Sequence, residues 1–182
     1  MIQYVANFTL SNGNLTFTAT SGGAYASGLA VAGATGKVYW EVQIDAVGTS
    51  SDQTGVGMGN TSINLSSYLG ADTNSIGYFG PQGTVLTGNA VVANLVTYAT
   101  NDRICIAYDT TGAAIWFRVN GGSWNNGVGG TPDPSTGVGG ISASGLSLPG
   151  YAGTSNQSCA GTGKFTSASF SQSIPSGYSA YG

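Results

Sequence analysis

The clearest pattern of apolar and polar positions lies between Asn101 and Gly121, NDRICIAYDTTGAAIWFRVNG. Two runs rich in Ile, Tyr, Trp, Phe and Val flank Asp109-Thr110-Thr111-Gly112, where Asp starts a turn and Gly suits a φ > 0 position. This predicts a β-hairpin. Alternation puts Ile104, Ile106 and Tyr108 with Ile115, Phe117 and Val119 on one buried face, and Arg103, Cys105, Ala107, Trp116 and Arg118 on the other. A hairpin alone is marginal in water, so the apolar face calls for a second layer.

Similar alternation recurs upstream. In Lys37 to Asp45, KVYWEVQID, the residues Val38, Trp40, Val42 and Ile44 form a core face, with Tyr39, Glu41, Gln43 and Asp45 opposite as a polar, solvated one. Asn12-Gly13 between two short alternating runs, NFTLSNGNLTFTAT, predicts an opening hairpin. Ala46 to Asp52 reads as a turn, and TGVGMGN as a short strand around Val56 and Met58 whose glycines suggest close backbone approach. Residues 61 to 74 look like a surface excursion, SIGYFG a strand, and Pro81-Gln82-Gly83 a turn. Ala90 to Ala99, AVVANLVTYA, fits either two helical turns or a strand. Strands are expected again near ISASGLSL and KFTSASF, with a long loop at Gly121 to Gly140 between them and the hairpin.

Composition makes the second layer a sheet. Thirty-one glycines, 6% charged residues and abundant Ser, Thr and Asn leave little material for helices, while 41% hydrophobic content excludes wholesale disorder. With 182 residues and no linker-like segment or fixed repeat, a single domain over residues 1–182 is the economical reading. A net charge of −3 with only Lys37, Arg103, Arg118 and Lys164 as cations argues against nucleic acid and anionic membranes as partners. No apolar run is long enough to span a bilayer, and Met1 leads into IQYVANF without an export signal. Cys105 and Cys159 are expected as free thiols, because one sits in a strand and the other in a Ser/Gly/Asn loop.

Several stretches, in order, resemble the SPRY domain, a concanavalin A-like antiparallel β-sandwich of jelly-roll type. GKVYWEVQID is similar to that family's glycine-lysine-tyrosine-tryptophan-glutamate-valine strand. VGMGN and YLGADTNSIGY resemble the next strand and its leucine-glycine, serine-x-glycine-tyrosine region. NDRICIAYD followed by AAIWFRVNG is similar to its most recognisable hairpin, and SASFSQSIPSGYSAYG to its closing strand and proline-x-glycine-aromatic tail. Cys105 stands where the family usually has glycine, and Ser169-Phe170-Ser171 replaces asparagine-phenylalanine-glycine. The Gly/Asn/Ser-rich style is similar to SPRY-like proteins of bacteriophages and bacteria. The resemblance implies a binding module without catalytic residues: a virion surface protein, decoration or fibre-associated, made in the host cytoplasm and contacting virion proteins or a host-surface glycan or protein. A free lectin-like module and an intracellular peptide-binding adaptor are the alternatives, and homo-oligomerisation stays open.

Candidate chemistry is sparse. With no histidine, Ser-His and Cys-His catalysis and His-based metal sites fall away. Glu41 is the only glutamate, and Asp45 on the same strand lies roughly 13 Å off at about 3.3 Å per residue, beyond the separation of a glycosidase pair. No enzyme activity, metal or cofactor is expected; Asp72, Asn74 and Asp133 read as turn formers rather than calcium ligands. Arg103, Trp116 and Arg118 form either an anion- or sugar-accepting strip or a second covered surface. Trp124, with Asn125 and Asn126 in a Gly-rich loop, supplies either an exposed anchor or a plug folded back on the domain. These six, with Tyr68 and Asp72 of the excursion, are the candidate partner-binding residues. Ordering so long a loop costs about 1–2 kcal/mol per residue, which a partner would repay.

Overall fold

The computed structural model describes residues 2–4, 8–19, 25–30, 33–47, 54–127, 130–154 and 159–182. One sheet runs, in spatial order, β1 (Ile2–Tyr4), β4 (Tyr25–Ala30), β13 (Leu148–Thr154), β6 (Thr54–Gly59), β7 (Ser75–Phe79), β8 (Thr84–Thr87) and β9 (Ala90–Asn94). The other runs β12 (Ile141–Ser142), β11 (Ala114–Val119), β10 (Arg103–Asp109), β5 (Lys37–Ala46), β14 (Ala160–Lys164), β3 (Thr16–Ala19) and β2 (Phe8–Ser11). Neighbours are antiparallel, and the two sheets make a β-sandwich. The exception is β15 (Ser179–Ala180), parallel to β5 at Val38 and Tyr39. It takes the place beside β5 that β14 leaves when its pairing ends at Lys164↔Glu41.

The hairpin forms in the register that alternation requires. Ile104 faces Val119, Ile106 faces Phe117 and Tyr108 faces Ile115, and these side chains join Trp40, Val42, Ile44, Val56, Ile76 and Tyr78 in the inter-sheet core. Asp109 opens the turn by accepting the N–H groups of Thr111 (2.9 Å) and Gly112 (3.0 Å). The left-handed residue, however, is Ala113 (φ 49°), not Gly112. Glycine serves there for space, since a Cβ at Gly112 would stand 3.0 Å from the Asp109 carboxylate. The opening hairpin also forms, its loop widened to Asn12–Leu15 with Asn12, Gly13 and Asn14 left-handed.

Strand β6 shows why its glycines are needed. A Cβ on Gly57 would lie 2.0 Å from the Ile76 carbonyl oxygen, and one on Gly55 would lie 2.7 Å from the Phe79 ring. The ambiguous Ala90–Ala99 stretch is strand over Ala90–Asn94, then irregular chain that buries Leu95 and Tyr98. Both cysteines are free and buried. Most of the turn expected at Ala46 to Asp52 lies outside the described residues.

Three expectations are corrected. The outer face of β5 is not solvated: Tyr39 and Glu41 are both fully buried, because the C-terminal segment lies across them. The strand expected around KFTSASF is instead Ala160–Lys164, which shares only Lys164 with it, while Ser167–Ser169 is a 3-10 turn. Gly161 explains the shift, since a Cβ there would meet the Phe17 ring at 2.7 Å, so this strand is built on small residues that carry no apolar alternation. The excursion at 61–74 is not purely superficial, because Leu69 is fully buried against Phe79 and Leu148.

Candidate partner-binding surface

The outer face of the hairpin is a second, smaller apolar layer. Tyr39, Cys105, Ala107 and Trp116 are buried there beneath Trp124, Phe170, Ile174 and Tyr178. Glu41 fastens this cover. Its carboxylate accepts the Tyr39 hydroxyl (2.7 Å), Arg103 Nη1 (3.0 Å), the backbone N–H groups of Ser171 and Gln172 (both 2.9 Å) and the Ser171 hydroxyl (3.2 Å). Burial alone would push the Glu41 carboxyl up; the donors, led by the Ser171 N–H, outweigh it and hold the group below the usual carboxylate range. Burial, with Cys105 and Glu41 beside it, pushes the Tyr39 hydroxyl well above the usual phenol range. Arg103 also donates to Gln43 Oε1 (2.9 Å from Nη2) and to the Ser169 carbonyl (3.3 Å), so its guanidinium is spent inside the domain.

Trp116 is likewise buried, its indole N–H donating to the Val138 carbonyl at 2.8 Å. Arg118 does not cover Trp116. Its guanidinium lies over the Trp124 ring, 4.4 Å from the centroid, and Nη2 donates to the Ser173 carbonyl at 3.3 Å. Trp124 is half-buried, with Tyr39 meeting it edge to ring at 6.5 Å. Cys105 donates to the Asn120 carbonyl (3.2 Å), and burial pushes its thiol up, away from the reactive thiolate.

Asn125 has a role that composition did not suggest. Strand β12 pairs only with Ala114 and Ile115 of β11, so the edge of β11 is open beyond that point. The Asn125 side chain fills the gap, accepting the Phe117 N–H (2.9 Å) and donating to the Gly139 carbonyl (2.7 Å). It is 2% exposed, and its amide is used up within the domain. These bonds and the Asp133↔Val138 bridge tie the described part of the loop to the domain. Asn126 is exposed, in a left-handed turn (φ 53°).

Tyr68 and Asp72 lie in the irregular segment between β6 and β7, beside the other sheet. The Tyr68 hydroxyl donates to Asn89 Oδ1 and its ring meets Phe79 edge-on, while Asp72 accepts the Asn74 N–H at 2.8 Å. Asp133 accepts the Ser135 N–H in the same fashion, so both aspartates act as turn formers. The eight candidate residues therefore divide between two surfaces: Arg103, Trp116, Arg118, Trp124, Asn125 and Asn126 on one sheet, Tyr68 and Asp72 beside the β8–β9 turn.

The SPRY domain family matches residues 37–130, just over half of the chain, and this span holds β5, β10, β11 and the Trp124 loop. The chain belongs to the SPRY family. SPRY domains are protein-binding modules and generally non-catalytic. Among solved structures, the SPRY domain of human HERC1 superposes with a TM-score of 0.69 at 18% identity, over 90% of this chain and 93% of that one. A second human SPRY domain gives 0.65 at 19% identity, over 90% and 96%. Stonustoxin gives 0.56 at 14% identity, over 90% of this chain and 26% of its own. At such identities the likeness is one of fold. No curated protein sequence matches the chain. Among the described residues no helix of this SPRY domain is long and apolar enough to cross a membrane.

Proposed function

We propose that this SPRY domain is a non-enzymatic module that binds a protein partner through the surface formed by Trp124, Arg118 and Asn126. The observation that carries the reading is the family match over residues 37–130. The chemistry agrees with it: Glu41, the chain's one glutamate, has both carboxylate oxygens engaged in holding the C-terminal segment. A half-buried tryptophan held by an arginine, with an exposed amide beside it, is the composition of a protein hot spot. The same stacking counts against the lectin-like alternative, because a face of the indole that would receive a sugar ring already carries the Arg118 guanidinium.

For the biological setting we propose a bacteriophage particle, with this chain at its surface. What supports it is the Gly/Ser/Thr/Asn-rich, charge-poor composition and its similarity in style to SPRY-like phage proteins. The test is quantitative mass spectrometry of purified particles, which should recover the chain in fixed proportion to the other virion proteins. Asn126→Gly removes the exposed amide while keeping the left-handed backbone, so it should lower incorporation by about threefold or more at an unchanged melting temperature. Absence of the chain from intact particles overturns the setting. Full incorporation of both Asn126→Gly and Trp124→Ala overturns the proposed surface.

A further inference from the structure

Among the described residues, both sheets end at one side of the sandwich in strands that are paired on one side only, β9 in one sheet and β12 in the other. Between them opens a cleft of about 550 Å³, walled by Thr73, Thr87, Val92 and Ala93 on one side and by Ile141 and Leu146 on the other. No charged residue lines it, and none occurs from Ala90 to Ala99. Natural edge strands are usually guarded by lysine, proline, inward charges or a bulge, and β9, Ala-Val-Val-Ala-Asn, carries a bulge but no lysine, proline or charge. Val91 and Val92 are instead exposed, at 53% and 46%.

We infer that this side is a second binding surface, which takes an extended, uncharged segment of a partner protein as an added strand on β9. A row of open N–H and C=O groups along an edge strand is matched in full by an extended backbone, whereas a side-chain amide such as that of Asn125 meets only one position of it. Charge decides the kind of segment. A lysine or glutamate entering a cleft without counter-charge would lose its hydration uncompensated, whereas alternate small apolar side chains fill it. The bulge in β9 favours a partner over a second copy of the chain. Val85 pairs with Ala93 and Leu86 with Val91, so Val92 is the extra residue and the alternation of faces breaks there. That break lets adjacent Val92 and Ala93 both face the cleft. In a two-fold β9–β9 pair, the irregular centres of both strands would oppose each other, while one regular incoming strand adapts to a single bulge.

The proposal rests on the binding-module reading but engages the β9 edge. Asn125, between Trp124 and Asn126, lines the cleft with its amide already bonded to Phe117 and Gly139. Asn126→Gly leaves that amide in place, so it should leave the strand addition intact. The probe is an uncharged, end-capped peptide of about nine residues alternating valine with serine, beside the same peptide with its serines replaced by lysine. Amide hydrogen exchange of the full chain is followed by NMR. Saturating neutral peptide should slow exchange at Val91 to Ala93 by about tenfold or more, the lysine peptide should not, and Val92→Lys should abolish the effect at an unchanged melting temperature. Unchanged exchange with the neutral peptide overturns the proposal. Equal slowing by the lysine peptide does so as well, as does peptide-independent dimerisation that Val92→Lys removes, which would make a second copy the occupant.

Discussion

At Glu41, burial and hydrogen bonding pull in opposite directions, and the bonding wins. A carboxylate that is fully buried yet held below its usual range stabilises the folded chain only while it is charged. Its folded pKa lies below the unfolded one, so the contribution is complete above the ordinary carboxylate value of about 4.3 and is lost as pH falls through the folded value. Stability measured by urea denaturation should therefore hold from neutrality down to about pH 5 and then decline. Glu41→Gln should remove that part of the acid dependence and cost about 2–4 kcal/mol at pH 7, because Arg103 loses its counter-charge. The side chain of Arg103 is 20% exposed, which puts the expected cost below that of a wholly buried pair. A loss under about 0.5 kcal/mol would show that the clasp adds nothing net.

Among the elements, β6 is the least tolerant. It lies between β13 and β7, and every residue from Thr54 to Gly59 is buried. Gly57→Ala would set a methyl group 2.0 Å from the Ile76 carbonyl, against backbone that cannot rotate away. The expected cost is about 3 kcal/mol or more, at the top of the overpacking range, measured as a fall in the urea midpoint at constant slope. The hairpin of β10 and β11 was legible because a side-chain period of 2 is a local property: Ile106 and Phe117 share a face whatever packs on it. Strands β4 and β14 were not, since YASGLA and AGTGK carry too few large side chains to show a period.

For the whole molecule, the C-terminal segment decides what the outer face of the central sheet is. Phe170, Ile174 and Tyr178 pack over Tyr39, Cys105 and Trp116, and β15 completes the sheet beside β5. Truncation after Phe165 should uncover Cys105 and raise its rate of labelling by a thiol reagent by about a hundredfold, while Cys159, in the inter-sheet core, stays protected. Equal labelling of both cysteines in the truncated chain would mean that the segment holds the entire fold and does not simply cover one face.

By itself the sequence determined the all-β class, the hairpin and the shared apolar face of its strands, the core face of β5, and a family resemblance that the match over residues 37–130 bears out. Those rest on short-range alternation, turn residues and motif order, which any stretch of chain carries independently of its surroundings. Only the tertiary structure decided that the face of Tyr39 and Glu41 is buried, because the group covering Glu41 comes from Ser171, 130 positions away. It also decided that the Asn125 amide stands in for a missing strand against β11, and that, among the described residues, β9 and β12 leave their edges open on either side of one cleft. Burial, pairing and cleft all depend on which distant segments meet, and a pattern with a period of two residues does not encode that.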